Sequence, residues 1–427
     1  MTGARRQASR GPSRLWPFKA RGDIVTIVDL GAQKVACAIA SLNAPHFGLD
    51  AGPRDIEVLG SATVRSSGFS KGRIVNLAAA ETGVRRAVAQ AEAQAQITAG
   101  EVVVTGQFEG LTTQIFEAKP GAGRPAILKE DAFAISAAVE EQCLSVQRKL
   151  LHMFTSPPQE DDMLMPTDSY GTSASEVDVI AISMPQKGAR QIAACLSRSM
   201  LTLRGFVAGP VAAALAVTNS LERQAGVLVI DMGAQSTGYA LFSQGVPVAV
   251  ECINSGGQQI TDHIAQIFAL RKFEAERAKV RYGSVFDGLQ ADIDLPVRNG
   301  ETGEPISKFA LNHLIRSNAS LVFRAVNERL KGAGYSVPIG GTVLAGGGSL
   351  LPGIRELASH LLASEVRTAK PIALNGLNAG NALAALVGGC LYASRHQSAG
   401  EMPYAPGLAS KDSSYASRIG QWLRASF

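Results

Sequence analysis

Two apolar segments of this chain end on an aspartate and turn at once through a glycine. The first, IVTIVDLG, covers residues 24–31, and the second, VLVIDMG, covers residues 227–233. An unbroken run of branched apolar residues is typical of a strand buried in a sheet. One strand ending in Asp-x-Gly is a common turn, but turn formation alone does not explain its repetition about 200 residues later. The repeat therefore indicates that both loops, at the ends of strands in an α/β fold, serve one function.

The chemistry of an Asp-x-Gly turn at a strand end suits a phosphate and its metal ion. The strand fixes the carboxylate, and the glycine lets backbone N–H groups approach a phosphate closely. A carboxylate so placed suits Mg²⁺, mainly through water, because this ion keeps several of its waters. The predicted phosphate-binding residues are Asp29, Gly31, Ala32, Gln33 and Lys34 in the first loop, and Asp231, Gly233, Ala234, Gln235 and Ser236 in the second. The predicted magnesium ligands are Asp29 and Asp231.

A third loop completes the pattern. Gly346, Gly347 and Gly348 directly follow the apolar segment TVLA. Glycines are expected where backbone passes close to a flat base and its sugar. The three loops together predict a cleft that binds ATP and Mg²⁺.

The composition indicates a folded protein of several domains. The chain has 427 residues, of which 46% are hydrophobic, and this length exceeds that of one ordinary core. No apolar stretch reaches the roughly 20 residues that span a bilayer, and residues 1–22 lack the features of a secretory signal. We therefore expect a cytoplasmic protein.

Cysteine, histidine and charge exclude several other classes. The five cysteines and six histidines are scattered and form no C-x-x-C or H-E-x-x-H motif, which disfavours disulfides and zinc. The net charge of +5 reflects in large part a basic leader over residues 1–22. Basic residues do not alternate with aromatic ones elsewhere, so nucleic acid is not an expected partner. The leader is interpreted as a flexible arm, with contact to an anionic surface as the alternative.

Periodicity and composition give a coarse organisation of the chain. The predicted helices cover residues 78–99, 129–150, 186–200, 257–282 and 306–331, and the predicted strands cover residues 24–41, 56–64, 101–106, 177–184 and 227–231. The predicted units are a leader (1–22), a first domain (23–77 and 176–204), an inserted α+β unit (78–175), a second domain core (205–250 and 340–395) with a subdomain (251–339), a linker (396–412) and a terminal helix (413–427).

The three loops, in this order, resemble those of the actin-like ATPase superfamily. The resemblance implies a duplicated ribonuclease-H-like domain around a nucleotide cleft. It also implies that Glu276 and Lys279, on a predicted helix, contact the adenosine; the alternative is an ordinary surface charge pair. Gly256, in the segment ECINSGGQQI, is included in the predicted nucleotide site.

Within this superfamily, several segments resemble the bacterial cell-division family FtsA over roughly residues 23–395. They are VRSSGFSKGRIVNLAAAETGVRRAVAQAEAQA, the insertion with EVVVTG, ECINSGGQQITDHIAQIFAL with EAERAKVRYG, and TVLAGGGSLLPGIRELASHLL. The resemblance implies that the inserted unit is SHS2-like and that the protein polymerises as an actin-like filament.

The last fifteen residues, SSYASRIGQWLRASF, predict an amphipathic helix on a polar tether. Such a short cationic helix suits shallow insertion at an anionic membrane surface. Its predicted apolar side carries Tyr415, Ile419, Trp422, Leu423 and Phe427, and its cationic residues are Arg418 and Arg424. FtsA proteins carry a membrane-targeting helix at this position. Packing on the protein's own body and docking on a partner are the alternatives.

The sequence departs from the family at the positions that would decide hydrolysis. Ala234 and Gln235 replace two glycines of the second loop, which narrows the space for phosphate. Gly209 and Pro210 stand where related filament proteins have Glu-Pro, whose carboxylate positions the attacking water. Without such a group, ATP is expected to act as an assembly ligand with slow or absent hydrolysis.

The resemblance implies a function in cell division. The protein would be a peripheral membrane protein that tethers FtsZ filaments of the Z-ring at the septum and recruits later divisome proteins. The FtsZ C-terminal peptide would contact the helix containing Arg316 and Arg324, which could otherwise be solvated arginines. The leading alternative is a small-molecule kinase of the same superfamily; a heat-shock-type chaperone and a pilus-assembly actin homologue are weaker ones.

Overall fold

The computed structural model describes residues 24–42, 56–118, 131–155, 177–286 and 294–398. The predicted leader over residues 1–22 and the predicted membrane helix over residues 413–427 lie outside the described residues. The linker predicted for residues 396–412 is helical as far as Ser398, and its remainder also lies outside them.

The secondary structure follows a mixed order of strands and helices. In chain order the elements are β1 (Ile24–Leu30), β2 (Lys34–Leu42), β3 (Ile56–Arg65), β4 (Phe69–Ser70), β5 (Arg73–Ile74), α1 (Leu77–Ala95), β6 (Glu101–Gly106), β7 (Thr112–Ala118), α2 (Asp131–Ser145), β8 (Arg148–Thr155), β9 (Val177–Pro185), α3 (Gln186–Arg198), β10 (Thr202–Ala208), α4 (Gly209–Val217), α5 (Ser220–Ala225), β11 (Val227–Met232), β12 (Thr237–Ser243), β13 (Val246–Ile253), α6 (Gly257–Ile267), α7 (Lys272–Tyr282), β14 (Asp294–Arg298), β15 (Pro305–Ser307), α8 (Lys308–Gly332), β16 (Thr342–Ala345), α9 (Ile354–Leu362), β17 (Val366–Thr368) and α10 (Ala384–Ser398). Short 3₁₀ turns cover Gly347–Leu350 and Asn381–Leu383.

Two five-stranded sheets share one topology. Their strand orders are β10-β6-β1-β2-β3 and β13-β12-β11-β16-β17. In each, the first three strands form an antiparallel meander, and two later strands join in parallel beside the first. Asp29 and Asp231 occupy corresponding places near the carboxyl ends of β1 and β11. This duplication is what the resemblance to the actin-like superfamily implies.

The helices α4 and α10 lie between the two sheets. They pack closely on each other, and both contact strands of the first sheet. One continuous apolar core joins these helices to residues of both sheets. The small residues in α4, GPVAAALAV, allow this close approach. The two domains therefore contact each other through the apolar helices α4 and α10 and through the loops at the strand ends.

A smaller unit is inserted in the first domain. Its three-stranded antiparallel sheet has the order β7-β9-β8, and α2 packs against β8. Thr113 on β7 contacts the edge strand β13 of the second sheet: the Val250 N–H donates to Thr113 Oγ1 at 2.7 Å, and this hydroxyl donates to the Val250 carbonyl at 3.2 Å. The insertion thus rests on both domains.

The boundaries predicted for this insertion, residues 78–175, do not match the strand pairing. The helix α1 packs on β2 and β3, and β6 pairs in parallel with β1, so both belong to the first domain. Conversely, β9 pairs with β7 and β8 and belongs to the insertion. Which strand pairs with which depends on distant residues, and periodicity carries no such information.

Several predicted elements also differ in extent. The strand predicted for residues 24–41 is a hairpin of β1 and β2, since the Asp-x-Gly turn divides it. The helix predicted for residues 129–150 ends at Ser145, and β8 begins at Arg148. The helix predicted for residues 257–282 is divided into α6 and α7. Within the described residues, no helix has both the length and the apolar character to cross a bilayer.

The contact between α4 and α10 gives a direct test of the fold. A Cβ atom at Gly388 would lie 1.6 Å from the carbonyl oxygen of Ala212. Gly388→Ala is expected to lower the free energy of unfolding by about 3 kcal/mol or more, because backbone would have to move to make room. Urea denaturation measures this loss.

Gly332→Ala is the matched control, because Gly332 is also helical and a Cβ there would meet no atom within 4 Å. Its stability should stay the same or rise by up to about 1 kcal/mol. Equal midpoints for both variants would contradict the described packing of α10.

Candidate functional site

Two buried carboxylates and one lysine define the centre of the cleft. Asp29 and Asp231 are 7% and 8% exposed, and each comes from a different sheet. The charge of Lys34 acts on both carboxylates, and the charge of Asp231 acts on Asp29. The structure therefore brings together the three charged residues that the sequence predicted for the two loops.

The pKa values show how burial acts on this group. Burial raises the pKa of Asp29 to about 6, although Lys34 opposes the rise, and the charge on Asp231 adds to it. Burial also raises the pKa of Asp231, against a hydrogen bond from Gln107 and the charge of Lys34. Burial lowers the pKa of Lys34, while both carboxylates raise it. Two buried acids around one base leave an excess of negative charge that a cation would neutralise.

The two loops form the same tight turn. The Gly31 N–H donates to the Lys34 carbonyl, and the Gly233 N–H donates to the Ser236 carbonyl, both at 3.0 Å. A Cβ atom would lie 2.8 Å from the accepting oxygen at Gly31 and 2.6 Å at Gly233. Only glycine fits either position, which explains the glycine of the Asp-x-Gly motif.

The turn tips differ between the loops. Ala32 is half-buried and Gln33 is exposed, and the Gln33 carbonyl accepts from the Ser66 N–H at 2.9 Å. The ammonium group of Lys34 donates to the backbone carbonyl of Ala382 in the second domain. The first loop thus contacts both domains.

The first residues of helix α6 hold the second loop through backbone hydrogen bonds. The N–H groups of Gly257 and Gln258 donate to the carbonyls of Gly233 and Ala234 at 3.1 and 2.6 Å. Gly256 is buried beneath the loop, where a Cβ atom would lie 2.6 Å from the Gly233 oxygen. In the structure Gly256 therefore supports the loop. Its predicted contact with a nucleotide stays a prediction.

The side chain of Gln235 crosses the cleft. Its amide oxygen accepts from Ser70 Oγ at 2.7 Å and from the Lys71 N–H at 3.2 Å. Ser70 and Lys71 belong to the β4–β5 hairpin of the first domain. The residue that replaces a glycine of the superfamily pattern thus connects the second loop to the opposite wall. The amide oxygen of Gln235 thus forms a hydrogen-bonded connection between the two domains.

The third loop lies against Asp231. Gly346 has φ +79°, and a Cβ there would lie 2.4 Å from Asp231 Oδ1, so both its backbone and its surroundings require glycine. A Cβ at Gly348 would lie 2.8 Å from the Met232 Cβ, whereas Gly347 is exposed. The loop predicted to border a nucleotide therefore starts beside Asp231, which the sequence predicts as a magnesium ligand.

Glu276 and Lys279 form an ion pair that contacts α6. Lys279 Nζ lies 2.7 Å from Glu276 Oε2 and donates to Thr261 Oγ1 at 2.8 Å and to the Gly257 carbonyl at 2.9 Å. Thr261 also donates to Glu276. The pair is therefore more than an isolated surface contact, since it connects α7 to the helix that supports the second loop.

Other residues of the site were not found by sequence reasoning. Gln107 follows β6, and its amide donates to the carboxylate of Asp231 at 2.7 Å. The sequence signal for it would have been its place just after the strand EVVVTG, because parallel strands end at one edge. At the start of α4, a Cβ on Gly209 would lie 2.6 Å from the Gly106 carbonyl oxygen. A glutamate before Pro210 could not be accommodated in this backbone arrangement.

The predicted partner and membrane residues lie elsewhere. Arg316 on α8 is half-buried and donates to the Val285 carbonyl at 2.7 Å, which gives it a structural role. Arg324 is exposed on the same helix. The membrane residues of 413–427 lie outside the described part. In the part of the chain that the structure describes, no three His, Cys, Asp or Glu side chains are grouped as metal ligands.

The architecture is the actin-like ATPase fold: two related domains enclose a cleft lined by three loops, as predicted. Among solved structures, the chain is similar to the PilM-PilN type IV pilus biogenesis complex, with a TM-score of 0.61 and 17% identity. The similarity covers 86% of this chain and 97% of that one.

Comparison with curated relatives narrows the class. The chain is 29% identical to cell division protein FtsA of Rhizobium meliloti (strain 1021), over 98% of this chain and 99% of the relative. It is 26% identical to cell division protein FtsA of Bacillus subtilis (strain 168), over 74% of this chain and 73% of the relative. The model of the family "Cell division protein FtsA" matches residues 228–388. The resemblance predicted from the sequence is therefore confirmed: the chain is similar to cell division protein FtsA over nearly its full length.

Burial of Asp29 gives a pH-dependent prediction. Its pKa is 3.8 in ordinary surroundings and about 6 in the folded chain, so the folded state binds this proton more tightly than the unfolded state. The group therefore stabilises the fold increasingly as the pH falls from about 6 to 4, and this gain is absent at pH 7. Asp29→Asn removes the buried charge, so the nucleotide-free variant should be more stable at pH 7, by at most about 3 kcal/mol.

Urea denaturation between pH 4.5 and 7.5, in EDTA, measures the difference between variant and wild type. The advantage of the variant should shrink as the pH falls. Asp294→Asn, at an exposed position of β14, is the matched control and should have the stability of the wild type at pH 7. A constant difference between wild type and Asp29→Asn would contradict the assignment.

Proposed function

We propose that this actin-like protein binds ATP and Mg²⁺ in its cleft and polymerises as a filament on the inner face of the cytoplasmic membrane. There it tethers FtsZ at the division septum and recruits later divisome proteins. The observation that carries the proposal is the convergence of Asp29, Lys34 and Asp231 between two equivalent glycine turns. The similarity to FtsA proteins, over 98% of this chain in one case, supports the cellular role.

The residues of the cleft fit a magnesium nucleotide. Lys34 supplies the positive charge that acts on both buried carboxylates, and Asp29 and Asp231 would hold Mg²⁺ mainly through water. Lys34 and the N–H groups of the two turns would hold the phosphates. Gly346, Gly347 and Gly348 would border the base and sugar. When bound, Mg²⁺ would supply positive charge that offsets the charge of the phosphates.

ATP is proposed to act mainly as a ligand for assembly. The backbone at Gly209 leaves no room for the water-positioning carboxylate of related filament proteins, and the oxygen of Gln235 is engaged with Ser70 and Lys71. A general base must lie within hydrogen-bond reach of the water. Hydrolysis is therefore proposed to be slow or absent.

Binding of the nucleotide is tested at Lys34. Lys34→Met retains the length of the side chain and removes its charge, so the affinity for ATP with Mg²⁺ should fall by about tenfold or more. Titration with a fluorescent ATP analogue measures the affinity. Lys187→Met, at an exposed position of α3, should bind like the wild type. An unchanged affinity in Lys34→Met would reject the assignment of the first loop.

Attachment to the membrane is tested by truncation. Residues 413–427 carry the pattern of an amphipathic helix, and one such helix binds weakly unless several are linked. Full-length protein should co-sediment with anionic liposomes, and more so under conditions of assembly, whereas the 1–412 truncation should stay in the supernatant. Neutral liposomes serve as the control for charge. Equal sedimentation of both proteins with anionic liposomes would refute the membrane tether.

A further inference from the structure

Gln107 occupies a position in the cleft that the functions described so far do not explain. It follows β6 directly and lies beside the second loop, where a Cβ added to Gly233 would be 3.1 Å from its Oε1. Its Cγ would lie 3.4 Å from a Cβ added to Gly238 on β12. Gln107 belongs to the first domain, and both glycines belong to the second. The side chain therefore reaches across the cleft to the site of Asp231.

The orientation of the amide is fixed by two acceptors of one residue. Gln107 Nε2 donates to the backbone carbonyl of Asp231 at 2.9 Å and to its carboxylate Oδ2 at 2.7 Å. Rotating the amide by half a turn would place its oxygen against both acceptors, which lack a proton to share when Asp231 is ionised. The amide oxygen must therefore point away from Asp231.

This amide oxygen lacks a partner. Among the described residues, Oε1 of Gln107 is a buried acceptor without a hydrogen bond. A buried polar atom left unsatisfied costs about 1–3 kcal/mol, so such an atom beside a binding site needs an explanation. Phosphate oxygens cannot satisfy it, because an ionised phosphate is itself an acceptor. The missing partner must be a donor.

Water in the hydration shell of a cation is such a donor, since the ion polarises its O–H bonds. The carboxylate of Asp231 is one hydrogen-bond acceptor beside the second loop, and Gln107 Oε1 is a second acceptor next to it. On the basis of the proposed function, we propose that Gln107 is an outer-shell ligand of Mg²⁺: Nε2 orients Asp231, and Oε1 accepts a hydrogen bond from a water of the metal. Outer-shell partners of this kind set metal affinity through the ligands they orient.

The same residue accounts for the departure at Gly209. A Cβ at Gly209 would lie 2.6 Å from the Gly106 oxygen and 3.1 Å from the Gln107 nitrogen. The backbone that presents Gln107 is therefore incompatible with a side chain at position 209. In this chain the amide of Gln107 lies next to Asp231, and position 209 has no side chain. Related filament proteins instead have a glutamate at the position of Gly209. A neutral amide can orient water but is a poor acceptor of its proton, in keeping with binding rather than fast hydrolysis.

The metal-dependent gain in ATP affinity tests this role without measuring turnover. The gain is the Kd for ATP in EDTA divided by the Kd in excess Mg²⁺. In Gln107→Met, which retains size but loses donor and acceptor, the gain should fall by about tenfold or more. The Kd in EDTA should stay within about twofold of the wild type, since the metal-free nucleotide does not use the outer shell.

Gln107→Glu distinguishes an outer-shell ligand from a merely structural residue. The glutamate retains an acceptor for the water of the metal but loses the donor to Asp231. Its Kd in EDTA should rise because another negative charge faces the phosphates, while its metal-dependent gain should equal or exceed that of the wild type. Gln90→Met, on the exposed side of α1, serves as the control and should match the wild type in both measurements.

Each outcome is decisive. Loss of the gain in Gln107→Met with its retention in Gln107→Glu supports the proposal. Equal loss in both variants shows that only the donor to Asp231 matters and overturns the role of Oε1 as an acceptor. Equal weakening with and without Mg²⁺ shows a structural role only and overturns the whole proposal. A wild-type gain in Gln107→Met also overturns it, while the proposed ATP site stands. Failure of the wild type itself to bind ATP would reject the proposed function and this inference together.

Discussion

The mutual burial of Asp29 and Asp231 beside a single lysine is the constraint on which this structure depends. A carboxylate inside a protein is costly unless charge and hydrogen bonds compensate it. Here each of the two sheets carries one such carboxylate near the end of a strand. Lys34 and Gln107 offset only part of the cost of burying these two groups. The fold tolerates this cost because the strands that carry the acids are held in a large apolar core. The Mg²⁺ proposed for this cleft would supply the positive charge that is still needed.

The two equivalent turns have acquired different roles. Both close through the same hydrogen bond from a glycine, yet the first ends in Lys34 and the second carries Gln235 at its tip. Lys34 contacts Ala382 of the second domain, and Gln235 contacts Ser70 of the first. Each loop thus reaches toward the opposite domain. The relative position of the two domains and the position of the two loops are therefore fixed by the same contacts.

Much of this arrangement could be predicted from the sequence, because it rests on local signals. A buried strand ending in Asp-x-Gly fixes both the element and the position of its carboxylate, and repetition implies a second sheet of the same kind. The limits of the insertion could not be predicted in this way. The strand at residues 101–106 has the same pattern whether it joins β1 or the insertion, and only its parallel pairing with β1 decides. Gln107 was missed for a related reason: a lone glutamine carries no motif, and its importance comes from a residue more than 100 positions away.

The contact of Thr113 with Val250 has a consequence for how copies of the chain can associate. An edge strand normally has unpaired backbone N–H and C=O groups, which can pair with a strand of another chain. At β13 one hydroxyl satisfies both backbone groups of Val250, so the inserted unit acts as a cap on that edge. Growth of the second sheet by strand addition is blocked at this point, and any assembly of subunits must rely on side-chain surfaces there instead of a shared sheet.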